Sequence, residues 1–201
     1  MSGLADSNKS VTESVTNASL FFKRWLANPL QMGSIVPSSR ALCERIARAV
    51  RRAPDEYVLE LGAGTGVVSR ALIEHGVPAD KLVVVEIVPE MASHLRSALP
   101  GVNVICGDAF ELSRAIPEAW QGRIGSAICG IPLVLLPTEQ QRRFVSAVES
   151  VAPGRGFLLY TYCITSPLPY ATLDLAAERV AWTPRNFPPA SVWRYTPRPA
   201  A

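Results

Sequence analysis

The sequence predicts an α/β protein built on a mostly parallel sheet with helices on both faces. Three observations carry this. The apolar run Val58 to Leu61 holds Glu60, passes into Gly62, Gly64 and Gly66, and gives way to a helical pattern at Val67. Two further apolar, β-branched runs, at 82–86 and 102–106, each have an acid at or just past the end, Glu86 and Asp108. Helical patterns separate the strand-like runs, as crossovers between parallel strands require.

The elements follow in chain order. Residues 1–10 are polar and read as disordered. An amphipathic helix is expected over Val11 to Ala27, stopped before Asn28 and Pro29 because the residue ahead of a proline disfavours helix. A loop with Gly33 and Pro37 follows, and Ser38 or Ser39 can cap a helix running to Arg52. Strands are expected near 56–61, 82–86, 102–106, 124–130 and 156–162, and helices near 66–75, 89–98 and 138–151. Runs near 178–183 and 191–196 read as a strand pair joined by Pro184 to Pro189. The organisation is therefore a disordered segment over 1–10, an amphipathic segment over 11–37, and one domain over 38–201. A length of 201 residues suits one full core.

Net charge is only +3, so the total gives no reason to expect a polyanion partner. The distribution is uneven: no Asp or Glu occurs from Ser14 to Cys43, where Lys23, Arg24 and Arg40 stand. Of the four cysteines, Cys106, Cys129 and Cys163 fall in apolar strand-like runs, so buried free thiols in a reducing compartment are expected. His75 and His94 both fall in helical segments and are expected at the surface; no metal site is expected. The start of the chain shows no signal peptide, and no apolar run reaches the roughly 18 residues of a spanning helix. A cytoplasmic location, without integral insertion, is expected.

The glycine turn is where chemistry is expected. Glycines let a nucleoside cofactor lie against bare backbone at the head of a helix. The dinucleotide frame G-x-G-x-x-G needs a third glycine where Val67 stands, which disfavours a nicotinamide or flavin. Glu86 lies 20 residues beyond Gly66, a spacing that suits a ribose diol; an ordinary acid at a strand end is the competing explanation. Ligands of such sheets bind outside the carboxyl ends of the strands. That rule also draws in the segments after the fourth strand (Gly130, Ile131, Pro132, Leu133), the fifth (Tyr160, Tyr162), and the loop 184–190.

With Gly62, Gly64 and Gly66, Glu86, and Gly107-Asp108-Ala109 in this order, the chain resembles the class I S-adenosylmethionine methyltransferases. The resemblance implies a Rossmann-like, seven-stranded sheet ending in an antiparallel hairpin. It implies S-adenosylmethionine bound by Glu60, Gly62, Ala63, Gly64, Gly66, Glu86, Ile87, Gly107, Asp108, Ala109 and Gly130, with Gln31 and Gly33 closing over it. Asp108 would accept from the adenine amino group.

A narrower likeness lies in Phe21-Phe22-Lys23-Arg24-Trp25, Gly33 to Ser39, Gly130 to Leu133 and Arg185 to Trp193. These segments resemble the soluble bacterial phospholipid N-methyltransferases, which convert phosphatidylethanolamine to phosphatidylcholine. That implies a phospholipid substrate, no nucleic acid, and peripheral association with the anionic inner face of the cell membrane. Phe21, Phe22, Trp25 and Leu26, with Val11, Val15 and Ala18, span an arc of about 140° at helical pitch, and Lys23 and Arg24 lie beside it. Such a stripe suits an interfacial helix or a lid over the cofactor, and one helix can serve as both. The Ile131 carbonyl, Tyr160 and Tyr162 are candidate catalytic groups, although strand packing explains the tyrosines equally well. Pro132, Leu133 and Arg185 are candidates for the headgroup; Arg185 is either a phosphate clamp or a solvated loop arginine. The runner-up is the similar family of ribosomal RNA adenine methyltransferases. Those carry Asn-x-Pro-aromatic after the fourth strand, where this chain has Gly130, Ile131, Pro132 and Leu133.

Overall fold

The computed structural model describes residues 39–163, 165–186 and 188–198. The amphipathic helix, with Phe21, Phe22, Lys23, Arg24, Trp25 and Leu26, and the candidate lid residues Gln31 and Gly33 lie outside the described residues. The elements are α1 (Arg40–Ala49), β1 (Tyr57–Leu61), α2 (Val67–Glu74), β2 (Leu82–Glu86), α3 (Pro89–Ala98), β3 (Asn103–Cys106), α4 (Leu112–Ala115), β4 (Ile124–Cys129), α5 (Thr138–Val151), β5 (Phe157–Thr161), β6 (Leu175–Thr183) and β7 (Ala190–Pro197). The strands form one seven-stranded sheet in the order β3-β2-β1-β4-β5-β7-β6. The pairs among β1 to β5 are parallel, and β7 runs antiparallel to both β5 and β6. This is the Rossmann-like class I methyltransferase topology expected from the sequence.

The central strands β1, β2 and β4 are buried along their whole length, which explains their nearly unbroken apolar runs. Successive strand residues point to opposite faces. Val58, Val84, Ile128, Leu158 and Val192 pack with Leu42 and Ile46 of α1, Leu72 of α2 and Leu95 of α3. The neighbouring position Phe157 faces the other way. It meets Phe144 of α5 edge-on at 5.3 Å and stacks on Tyr195 at 5.3 Å.

Several expectations are corrected. The first described helix ends at Ala49, not Arg52, because tertiary partners take its backbone. Arg194 donates to the Ala49 carbonyl at 2.6 Å, and the Ser126 hydroxyl bonds both the N–H and the carbonyl of Arg51. Strand β6 begins at Leu175, before the expected 178, and its register shifts between Arg179 and Ala181. Two alanines and a bulge hide its alternation. Cys129 is buried as expected, but Cys106 and Cys163 are exposed. Cys106 ends the edge strand β3, which is only partly covered, and Cys163 lies past the end of β5. Both histidines are exposed, as expected.

Candidate active site

The carboxyl ends of β1, β2, β3 and β4 set the glycine turn, Glu86, Asp108 and Gly130 side by side. Backbone bonds fix them: Gly62 N–H donates to Val85 at 2.9 Å, Gly107 to Glu86 at 3.1 Å, and Gly130 to Leu61 at 2.8 Å. Gly62, Gly64 and Gly66 all have positive φ, so the turn itself requires glycine. At Gly64 a side chain would project into open space, with no heavy atom within 4 Å. That is room for a ligand to lie against the main chain.

Each acid on this edge has a definite environment. Glu86 is 1% exposed; it accepts from the N–H of Gly64 at 3.3 Å and of Val88 at 3.1 Å. Burial raises its pKa against the pull of those donors. Ile87 follows it, half-buried. Asp108 accepts from the N–H of Phe110 at 2.9 Å, closing a turn that leaves Gly107 half-buried and Ala109 buried. Burial raises the Asp108 pKa too. Glu60 lies deeper, on the α2 side, and accepts from the Ser69 hydroxyl at 2.5 Å. Its carboxyl is pushed up to about 7, first by burial and also by Glu86, against the opposing effects of Ser69 and Arg70. Ala63, also buried, sits in the turn above it.

The other half of the edge is different in kind. Gly130 packs on the turn: a Cβ there would fall 2.4 Å from the Gly62 carbonyl oxygen and 3.1 Å from that of Leu61. Ile131 is 4% exposed, and its carbonyl already accepts from Leu133 N–H at 2.8 Å and from the Cys129 thiol at 3.6 Å. Pro132 and Leu133 are buried, whereas Leu135 is 47% exposed. Tyr160 is half-buried against the α1 side of the core. Tyr162 lies just past β5, and burial raises its phenol pKa against a hydrogen bond from Asn186. Arg185 is exposed in the loop after β6.

Two residues that the sequence did not single out hold this half together. Asn186, 1% exposed, accepts from Ser39 N–H at 3.1 Å, donates to the Pro188 carbonyl at 2.9 Å, and bonds Tyr162. Gln141 donates to the carbonyls of Leu133 and Leu136, bracing the turn after β4. The bond from Ser39 to Asn186 spans 147 residues and leaves no local signal.

Comparison with known proteins agrees with this geometry. A family model described as a methyltransferase domain matches residues 58–156. The chain carries a class I S-adenosylmethionine-dependent methyltransferase domain. An ornithine lipid N-methyltransferase of Singulisphaera acidiphila is 24% identical over 182 residues, which span 87% of this chain and 93% of that protein. A ribosomal RNA small subunit methyltransferase A of Chlorobium limicola is 30% identical over 121 residues, 58% of this chain and 45% of its own. Among solved structures, a TehB-like methyltransferase of Corynebacterium glutamicum superposes with a TM-score of 0.55 at 10% identity, covering 91% of this chain and 100% of that one. The 23S rRNA methyltransferase ErmE gives 0.51 at 23% identity, over 80% and 68%. The cofactor of the methyltransferase is S-adenosylmethionine. The open space at Gly64 and the Glu86 carboxylate beside it fit that group. No described helix is long and apolar enough to cross a membrane.

Proposed function

We propose that this methyltransferase transfers methyl groups to the headgroup amine of a membrane lipid, converting phosphatidylethanolamine and its mono- and dimethylated forms towards phosphatidylcholine. The carrying observation is the end of β4. A base-directed enzyme needs a polar acceptor and a stacking ring there. Here Gly130 is pressed onto the Gly62 carbonyl, so no side-chain acceptor fits without backbone movement, and Leu133 is fully buried. The lipid relative, matched over nearly all of its length, supports the same reading; the RNA relative is matched over less than half.

In this reading Glu86 holds the ribose, Asp108 the adenine, and the turn from Gly62 to Gly66 the remainder of the cofactor, with Glu60 buttressing the turn. The sulfonium supplies an activated methyl, so the chain mainly aligns donor and amine. The amine must first lose a proton: an unperturbed primary amine titrates near pH ~10.4 and is mostly charged at neutrality. A poorly hydrated site beside Ile131 and Tyr162 favours the neutral form. Tyr162 orients the amine, and Arg185 pairs with the headgroup anion.

The test is transfer of label from S-adenosylmethionine to phosphatidylethanolamine vesicles, ornithine lipid vesicles or ribosomal RNA. Label in phosphatidylethanolamine supports the proposal. Label in ornithine lipid alone keeps the amine-lipid class and changes the headgroup. Label in RNA alone overturns it. With lipid substrate, kcat/KM should climb with pH through 7 to 9 as the amine deprotonates; a flat profile removes the proton-loss step.

A further inference from the structure

We infer that Asn186 is a positioning residue that aims the Tyr162 hydroxyl at the reacting amine; this rests on the amine reading above. Strand β5 ends at Thr161, which pairs with Ser191, so the ladder does not fix Tyr162. Tyr162 is half-buried in the bend that follows, and Cys163 N–H donates to the Thr161 hydroxyl there at 3.1 Å. The direction of the phenol is therefore set by side-chain contacts. Asn186 supplies one of them, a hydrogen bond between its amide and the phenol oxygen.

Asn186 can aim that phenol because the rest of its amide is anchored. The side chain is 1% exposed; Oδ1 accepts from Ser39 N–H at 3.1 Å, and Nδ2 donates to the Pro188 carbonyl at 2.9 Å. Ser39 in turn caps α1, its hydroxyl accepting from Leu42 N–H at 3.2 Å. Helix α1 packs on the sheet through Leu42 and Ile46. Pro184, Pro188 and Pro189 carry no backbone N–H, so the loop 184–189 has few main-chain donors with which to brace itself. An amide offers the donor and the acceptor that these contacts need; a carboxylate of the same size has no donor for Pro188.

The phenol also stands where the acceptor amine arrives. Cys129 lies opposite Leu159 in the parallel pair of β4 and β5, so the segments that carry Ile131 and Tyr162 leave the sheet side by side. No Asp or Glu occurs in the segments 130–138, 162–168 or 183–189 that make this half of the edge. An amine there meets uncharged oxygens, and the Ile131 carbonyl already accepts from Leu133 N–H and the Cys129 thiol. A phenol oxygen held in one direction takes an N–H of the neutral amine and leaves the nitrogen lone pair facing the sulfonium methyl. A phenol that swings loses that alignment without losing the lipid.

The experiment is a double-mutant cycle on the full chain, with Asn186→Ala, Tyr162→Phe and the pair. Turnover is measured on a water-soluble short-chain phosphatidylethanolamine, with Tm and S-adenosylmethionine affinity as folding controls. Each single variant should lower kcat about ten- to hundred-fold, with KM within about two-fold of the wild type. The double variant should be no slower than the slower single variant, within about two-fold, because both changes remove one alignment. Where Asn186→Ala does not fold, the milder Asn186→Ser carries the cycle. Losses that multiply in the double variant overturn the inference, since Asn186 then acts without Tyr162. A rise in KM with kcat retained in the Asn186 variant also overturns it, because the loop would then have loosened around Arg185. So does a Tyr162→Phe variant as fast as the wild type. These three results leave the methylation reading standing. If the wild type labels RNA alone, the lipid reading falls, and the same cycle run on RNA decides the inference.

Discussion

The two halves of the sheet's carboxyl edge are built on different principles. Over β3, β2 and β1 the site is made of backbone and carboxylates: three glycines with positive φ, and two acids held by main-chain N–H groups. Over β4, β5, β7 and β6 it is made of packed apolar residues, prolines and long-range side-chain bonds such as Asn186 to Ser39. The cofactor half is rigid because its ladder bonds continue past the strand ends. The substrate half takes its shape from distant parts of the chain. In the proposed reading, one half presents a fixed surface to a common cofactor, and the other receives the substrate.

The sharpest way to break this contrast is at the seam between the halves. Gly130→Asn introduces a Cβ within 2.4 Å of the Gly62 oxygen, a clash with backbone that no rotamer relieves. Overpacking costs about 1–3 kcal/mol, and a clash with main chain falls at the upper end. Urea unfolding should show that loss, and the variant should gain no RNA methylation. A variant as stable as the wild type would mean that the seam yields, and the steric case against a base substrate would fail.

A comparable effect tests the cofactor half. Glu60 titrates near 7 in the folded protein against 4.5 for the free group. Below 4.5 both states are protonated. Between 4.5 and 7 the folded state keeps a proton that the unfolded chain releases, so stability falls as pH rises, and above 7 the loss is complete. At ~1.4 kcal/mol per unit the total is about 3.5 kcal/mol. Cofactor-free protein should therefore lose stability from pH 4 to 8 by about that much more than Glu60→Gln does. Parallel curves for the two proteins would show that Glu60 is not held neutral.

These two tests also show what a reader of the sequence could see. Glycine with positive φ and an acid at a strand end are local requirements, so Gly62, Gly64, Gly66, Glu86 and Asp108 stand out by type and spacing. The parallel sheet was legible from β-branched runs for the same reason. The substrate half was harder. The early end of α1 depends on Ser126 and Arg194, and the loop after β6 depends on a buried Asn186, whose partners lie up to 147 residues away. Leu133 was a natural choice for the headgroup from its position after β4, yet it points into the core and Leu135 is the exposed one. A turn of three residues separates buried from exposed there, and periodicity does not resolve a turn that short.

Next in size is the ribose assignment. Glu86→Ala removes a buried carboxylate that accepts from the Gly64 N–H. A hydrogen bond to a charged group contributes about 1.5–3 kcal/mol, so S-adenosylmethionine should bind roughly 10- to 150-fold more weakly by calorimetry. If affinity is retained, the two-half picture loses its cofactor side.

The smallest effect concerns Arg185. Its side chain is exposed, and its backbone N–H bonds the Thr183 hydroxyl at 3.3 Å, so the loop keeps its shape without the guanidinium. Arg185→Gln should therefore leave Tm and cofactor affinity alone. An exposed arginine on a headgroup anion is screened by solvent and binds ground state and transition state alike, so the loss should fall on KM, about three- to ten-fold, with kcat retained. Arg185→Lys should recover part of it, because charge survives while the bidentate fork does not. Dispersed short-chain lipid is the substrate to use, since vesicles add a partition step to the apparent KM. A fall in kcat with KM constant would place Arg185 at the reacting amine itself; no change in either would return it to the status of a solvated loop residue and leave the headgroup anion to be met elsewhere on the acid-free half.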